Sequence, residues 1–183
     1  MNFKGVIRHK SVGIIIILIG FITIISCSCS GNKPQKPSAI EGVDSTLVLL
    51  QSRTKDRITV HRNYGEIPEI ECRPTKLNQV FMNILTNAID SIEERGDIFI
   101  DTSISNSNII IKIRDTGKGM SKKISRHVFE PFYTTKDVGE GMGLGLSVSY
   151  GIIEQHRGRI DVRSEPGGGS EFIIALPIKQ GSG

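Results

Sequence analysis

An α/β fold is expected here, a two-layer sandwich with a mixed β-sheet covered on one face by about three helices. Three observations point to it. Residues 75–95 (TKLNQVFMNILTNAIDSIEER) place Leu77, Val80, Phe81, Ile84, Leu85, Ala88, Ile89 and Ile92 at i, i+3, i+4, i+7 spacing, the apolar stripe of a core-facing helix. Residues 97–105 and 108–114 alternate with a period of two, as strands with one buried face do. A second helical pattern over 144–156 is followed by strand-like segments at 159–164 and 171–177, with a glycine turn at 166–169 between them.

In chain order, the first ten residues are basic and residues 12–25 (VGIIIILIGFITII) form an apolar run. That run is short for a membrane span of about 20 residues and has the length of a signal-peptide core, although no charge lies between Lys10 and Lys33. Ile24-Ile25-Ser26-Cys27 resembles a bacterial lipobox. Residues 1–30 are therefore expected to be a lipoprotein signal or a membrane anchor, and 31–40, rich in Pro, Lys and Ser, a linker to a domain over 41–183. Within the domain Asp44 is expected to cap a helix running through Leu47, Val48, Leu50 and Gln51. Residues 58–64 and 70–72 read as two short strands flanking a Gly65-Glu66-Ile67-Pro68 turn. The long helix has Pro74 near its first turn and Gly96 just past its end, and Asn106-Ser107 joins the next two strands as a hairpin.

The net charge is +4, yet five of the 23 Lys and Arg and none of the 19 acids fall in residues 1–40, so residues 41–183 carry −1. No basic stripe with interleaved aromatics is present, which argues against a nucleic-acid partner. Three cysteines, Cys27, Cys29 and Cys72, make neither a disulfide framework nor a zinc pattern.

Four stretches could carry chemistry. Asn83 and Asn87 lie four apart, on a stripe beside the apolar face, with Asp90 one turn further. Amides at the edge of a buried face need a hydrogen-bond partner or an ion, or else border solvent. Asp115-Thr116-Gly117-Lys118-Gly119-Met120 directly follows a strand. It suits a tight turn, the Asp-Thr-Gly of an aspartic protease, or a purine pocket in which the carboxylate accepts from an exocyclic amine. Gly139, Gly141, Gly143 and Gly145 alternate just ahead of a helix, as a phosphate-binding loop, a lid or a linker would. The spacing is neither that of a Walker A loop nor that of G-x-G-x-x-G. Residues 129–136 (FEPFYTTK) lie between the two glycine elements, and Lys136 there is a counter-charge for phosphates or a solvated cation.

Taken together the four stretches resemble the N, G1, F and G2 boxes of the ATP-binding domain of bacterial sensor histidine kinases. That domain has the Bergerat fold shared with the gyrase, Hsp90 and MutL ATPases. The resemblance implies ATP and Mg²⁺ as ligands. Asn87 would coordinate the metal and Asn83 would sit near it and the phosphates. Asp115 would bind the adenine amine, with Gly117 and Gly119 beside the ring. Lys136 and the backbone of Gly139, Gly141, Gly143, Leu144 and Gly145 would close over the phosphates. It further implies phosphotransfer to histidine in a two-component system with a response regulator downstream. Asp90 stands where some members carry a basic residue, so the resemblance does not carry a phosphate contact over to that position. None of the four histidines has the context of a phosphoacceptor, so the acceptor is expected on a histidine-bearing dimerisation domain or kinase in trans. The rival expectations are a non-catalytic nucleotide-dependent interaction module and an anti-sigma-type serine kinase. Membrane association through residues 1–30 is expected, with the ATPase domain in the cytoplasm although the leader resembles an export signal.

Overall fold

The computed structural model describes residues 39–136 and 141–179, all of which lie in a compact unit spanning residues 36–183. The expected signal or anchor over 1–30, most of the expected linker and Gly139 fall outside the described residues. Five strands form one sheet in the order β1-β2-β3-β5-β4. They are β1 (Ile58–Tyr64), β2 (Gly96–Ser105), β3 (Asn108–Asp115), β4 (Arg159–Ser164) and β5 (Ser170–Pro177). The sheet is mixed: β1 runs parallel to β2 and every other pairing is antiparallel.

The helices are α1 (Ala39–Leu49), a single turn α2 (Gln51–Thr54), α3 (Pro74–Ser91), a short α4 (Lys122–His127) and α5 (Gly145–Gln155). α3 is the centre of the helical layer, packed against α1 on one side and α5 on the other, with β3 beneath it. All eight residues of the predicted apolar stripe, Leu77 to Ile92, are buried. Fully burying side chains of this kind stabilises by roughly 1.5–3 kcal/mol each. Pro74 occupies the first turn and Arg73 before it is extended, as a residue preceding proline prefers.

The strand alternation does more than build the core. Ile98 and Ile100 of β2, Ile109, Ile111 and Ile113 of β3, and Phe172, Ile174 and Leu176 of β5 point to the helical layer. The same period of two carries Asp115, the last residue of β3, onto that buried face. On the opposite face Phe99 is stacked on the His61 ring, with centroids 4.6 Å apart, and lies under the Arg114 guanidinium. These three are direct cross-strand neighbours.

Several local expectations are corrected. Asp44 does not cap a helix, because α1 begins at Ala39. Ala39, Val43 and Leu47 extend the apolar stripe toward the N-terminus, and the mid-helix Asp44 instead accepts a 2.8 Å hydrogen bond from Tyr64 Oη and pairs with Arg62. Residues 70–72 form no strand; Ile70 plugs the core from irregular backbone while β1 stays at the sheet edge. Gly96 opens β2 instead of ending the long helix, which stops at Ser91 with Ile92 extended. The Asn106-Ser107 hairpin is as expected, both residues having positive φ (48° and 63°), as a type I′ turn requires.

The C-terminus of α3 is capped from a distance. Arg57, just before β1, donates to the carbonyl of Ile89 at 3.1 Å and to that of Ile92. It meets orphan carbonyls and the negative end of the helix dipole with one cation. Arg57→Met is expected to cost about 1–3 kcal/mol in urea unfolding with an unchanged m-value, since it removes charge-assisted bonds without altering the area buried on folding.

Candidate functional site

A cavity of about 1300 Å³ opens between α3, the end of β3 and the segments 133–136 and 141–146. Its floor is organised by Asp115, only 2% exposed. Asp115 Oδ1 accepts from the Gly117 N–H at 2.8 Å and from Ser91 Oγ, the last residue of α3, at 2.9 Å. Burial pushes the Asp115 carboxyl above the usual carboxylate range, and the donors from Gly117, Ser91 and Ser170 only partly offset this. The surrounding glycines make this tight turn possible. A Cβ on Gly117 would fall 2.0 Å from Ser91 Oγ, and one on Gly119, which has φ +63°, would fall 2.0 Å from the Glu165 carbonyl oxygen. Both glycines therefore wedge the turn between α3 and the β4–β5 connection, and Gly119 also lines the cavity.

Asn87, one turn before Ser91 on α3, and Asp90, next to Ser91, also line the cavity. The Asn87 side chain makes no hydrogen bond to another described residue, which leaves its amide oxygen available. Asn83 is used differently. It is not among the lining residues, and its Nδ2 donates to the Gly145 carbonyl at 2.8 Å and to the buried Ser149 hydroxyl at 3.0 Å. It thereby fixes the first turn of α5 against α3. That first turn, with Gly145 and Leu146, belongs to the cavity wall. It is the end of a helix, where backbone N–H groups lack intrahelical acceptors. Gly141, Gly143 and Leu144 also line the cavity, and Gly143 (φ +67°) sits so close to Phe132 that a Cβ would meet its carbonyl carbon at 2.6 Å. Gly139 is outside the described residues.

Lys136 lines the cavity and its Nζ reaches Asp90 Oδ2, while Arg53 of α2 donates to Asp90 Oδ1. Burial opposes ionisation of Asp90, but the hydrogen bonds from Lys136 and Arg53 outweigh it and hold the carboxyl below its usual range. Arg53, Arg57 and Ser91 reach the site without forming part of any motif read from the sequence, and Lys118 joins them from within the Asp115 to Met120 stretch. Ser91 was legible as the residue one turn beyond Asn87. Arg53 and Arg57 come from a separate element, and no local pattern marks them. The lining brings the cations Arg53, Arg57, Lys118 and Lys136 together with three acids, Asp90, Glu93 and Asp115. Among the described residues no cluster of three or more His, Cys, Asp or Glu could hold a metal ion by itself. The one oxygen-donor amide at the wall suits a hard ion that takes most of its shell from phosphates and water.

The two carboxyls predict opposite pH behaviour of the ligand-free protein. Asp115, with a raised pKa, keeps its proton in the folded state after the unfolded chain has lost it. Its ionisation therefore opposes folding, from the ordinary Asp range upward. Asp90, with a lowered pKa, contributes stability that is present above the unfolded Asp pKa and is lost as pH falls through the folded value. Thermal melts from pH 3 to 8 should show Asp115→Asn gaining on the wild type as pH rises, and Asp90→Asn losing ground over the same range.

Residues 72–180 match the family model described as "Histidine kinase-, DNA gyrase B-, and HSP90-like ATPase". Sporulation kinase E of Bacillus subtilis (strain 168) is 39% identical over 156 residues, covering 79% of this chain and 21% of that protein. Sensor histidine kinase ZraS of Escherichia coli (strain K12) is 42% identical over 112 residues, covering 61% of this chain and 24% of that protein. The chain thus spans about a fifth to a quarter of the length of these two relatives. Among solved structures, a nucleotide-free catalytic domain of histidine kinase ThkA superposes with a TM-score of 0.67 at 28% identity, over 75% of this chain and 91% of that one. The match to the family model covers more than half of the chain, and the chain belongs to the histidine kinase-, DNA gyrase B- and HSP90-like ATPase family.

Proposed function

We propose that the domain binds Mg·ATP and serves as the catalytic module of a protein histidine kinase in a two-component system, passing the γ-phosphoryl group to a histidine on a dimerising domain outside the described residues. The observation that carries this reading is the placement of Asp115. It is a buried carboxylate on the cavity floor, tied through Ser91 to the end of α3, and the same cavity is lined by the unpartnered amide of Asn87, by Lys136 and by the start of α5. An acceptor for a purine amine and a set of phosphate contacts thus share one cavity. Bound Mg²⁺ would neutralise phosphate charge and hold the phosphoryl group for transfer.

This chain's own residues do the rest by positioning. Asp115 Oδ1 is held by Ser91 and Gly117, so the carboxylate cannot turn away from the cavity. Asn87 would supply the protein's one oxygen to the metal, and Lys136 would meet the phosphates. The imidazole nitrogen of the acceptor forms the new N–P bond as the bond from the γ-phosphorus to ADP breaks, and the proton lost from the ring passes to a base on the partner. The histidines described in the domain are otherwise engaged. His61 pairs with Asp97 and His127 with Glu130, while the buried His156 receives the Arg73 N–H on Nε2 and so donates from Nδ1 to the Ile152 carbonyl. An acceptor elsewhere is consistent with that. We place the domain in the cytoplasm, where ATP is, with residues 12–25 as its link to a membrane. Among the described residues no helix is long and apolar enough to cross one.

Calorimetric titration of Mg·ATP tests the reading. Asp115→Asn is expected to weaken binding roughly 10- to 100-fold, the loss of a charge-assisted hydrogen bond in a buried site. Equal affinities would overturn it. Asn87→Ala is expected to bind ATP as the wild type does when EDTA is present and to lose the tightening that Mg²⁺ gives the wild type. Incubation with γ-labelled ATP and an isolated histidine-bearing hairpin should give acid-labile phosphate; acid-stable label on serine would point to the other kinase class.

A further inference from the structure

Asp90 sits on the same wall as Asn87, one turn along α3, and two cations from distant parts of the chain converge on it. Arg53 reaches Oδ1 from α2 and Lys136 reaches Oδ2 from the segment before Gly141. All three side chains line the cavity. A carboxylate alone on a wall meant for a polyphosphate would repel it. Two cations on one carboxylate leave a net positive charge there. Stability gives little reason for the arrangement: the Arg53 side chain is 44% exposed, and an ion pair so open to solvent contributes little to folding. Geometry gives a better one. Arg53 uses Nη2 for Asp90, and the rest of its guanidinium fork makes no hydrogen bond to another described residue. A fork fixed at one corner with free N–H groups beside an anion site is arranged for phosphate oxygens.

We propose that Arg53 binds the phosphates of the nucleotide and that Asp90 is its positioning residue, holding the guanidinium at the wall that Lys136 shares. The inference rests on the nucleotide reading above and adds to it a phosphate ligand from outside every motif. In this domain the carboxylate at position 90 acts by recruiting a cation instead of touching phosphate itself.

The test compares adenosine, ADP and Mg·ATP binding to the full chain by calorimetry, with circular dichroism as a check on folding. Arg53→Met is expected to weaken ADP and Mg·ATP about tenfold or more, one charge-assisted contact, while adenosine changes less than about twofold. Arg53→Lys should recover part of the loss, because a point charge replaces the fork. In an Asp90→Asn background, where nothing holds the guanidinium, the effect of Arg53→Met on ADP should shrink to less than about threefold. If the wild type prefers ADP over adenosine and Arg53→Met keeps that preference, or loses adenosine and ADP equally, the proposal is overturned while the nucleotide reading stands. A wild type that binds none of the three ligands removes both.

Discussion

Helix α3 can take one rotation about its axis, and both the core and the site depend on which. Seven of its residues, from Leu77 to Ile89, are buried, together with Ile92 just beyond its end. At roughly 1.5–3 kcal/mol for each large side chain, this term exceeds the 0–1 kcal/mol of any ion pair on the opposite side. Packing therefore sets the rotation and the polar stripe inherits it. Asn83 is delivered to α5, Asn87 and Asp90 to the cavity, and Ser91 to Asp115. The distant cap by Arg57 holds the end of the helix where the stripe meets β3.

The two acids of the site show how environment divides one chemical group into two roles. Asp115 is enclosed on the sheet side of the cavity with neutral donors only, and burial raises its pKa. Asp90 is closer to solvent between two cations, and its pKa is lowered. Asp115 thus lowers the stability of the ligand-free fold in exchange for an acceptor in a fixed position, as functional groups in clefts commonly do. Asp90 is compensated within the protein and is available to organise its partners.

Much of this could be read from the residues because it lies in short-range periodicity. The apolar stripe of α3, the β2–β3 hairpin with its Asn106-Ser107 turn and the final two strands all repeat at 3.6 or 2 residues; the structure has the strands within a residue of expectation, while α3 ends at Ser91, short of the expected Arg95. Failures occurred where long-range packing overrides local signals. Asp44 has the chemistry of a cap but sits inside a helix whose apolar face starts five residues earlier. Residues 70–72 have strand composition but no neighbouring strand to pair with. Ser121 caps α4 by accepting from the Ile124 N–H, but six residues of helix are too few for an apolar period to mark the element in the sequence. Within the site, the motif residues Asn87, Asp115, Gly119, Lys136 and Gly141 to Gly145 converge on one cavity. Asn83 and Gly117 face neighbouring protein instead. Arg53 and Arg57 could not have been placed, because only the tertiary fold brings α2 and the start of β1 to the end of α3.

The two flanks of the cavity are moored to a single helix: Lys136 to Asp90, and Gly145 to Asn83, two turns earlier on α3. The span between the two moorings is therefore set by the helix, about 1.5 Å for each residue from Asn83 to Asp90. A change of core packing that slid α3 along its axis would carry both flanks of the cavity with it, displacing the mouth as one piece instead of prising it open.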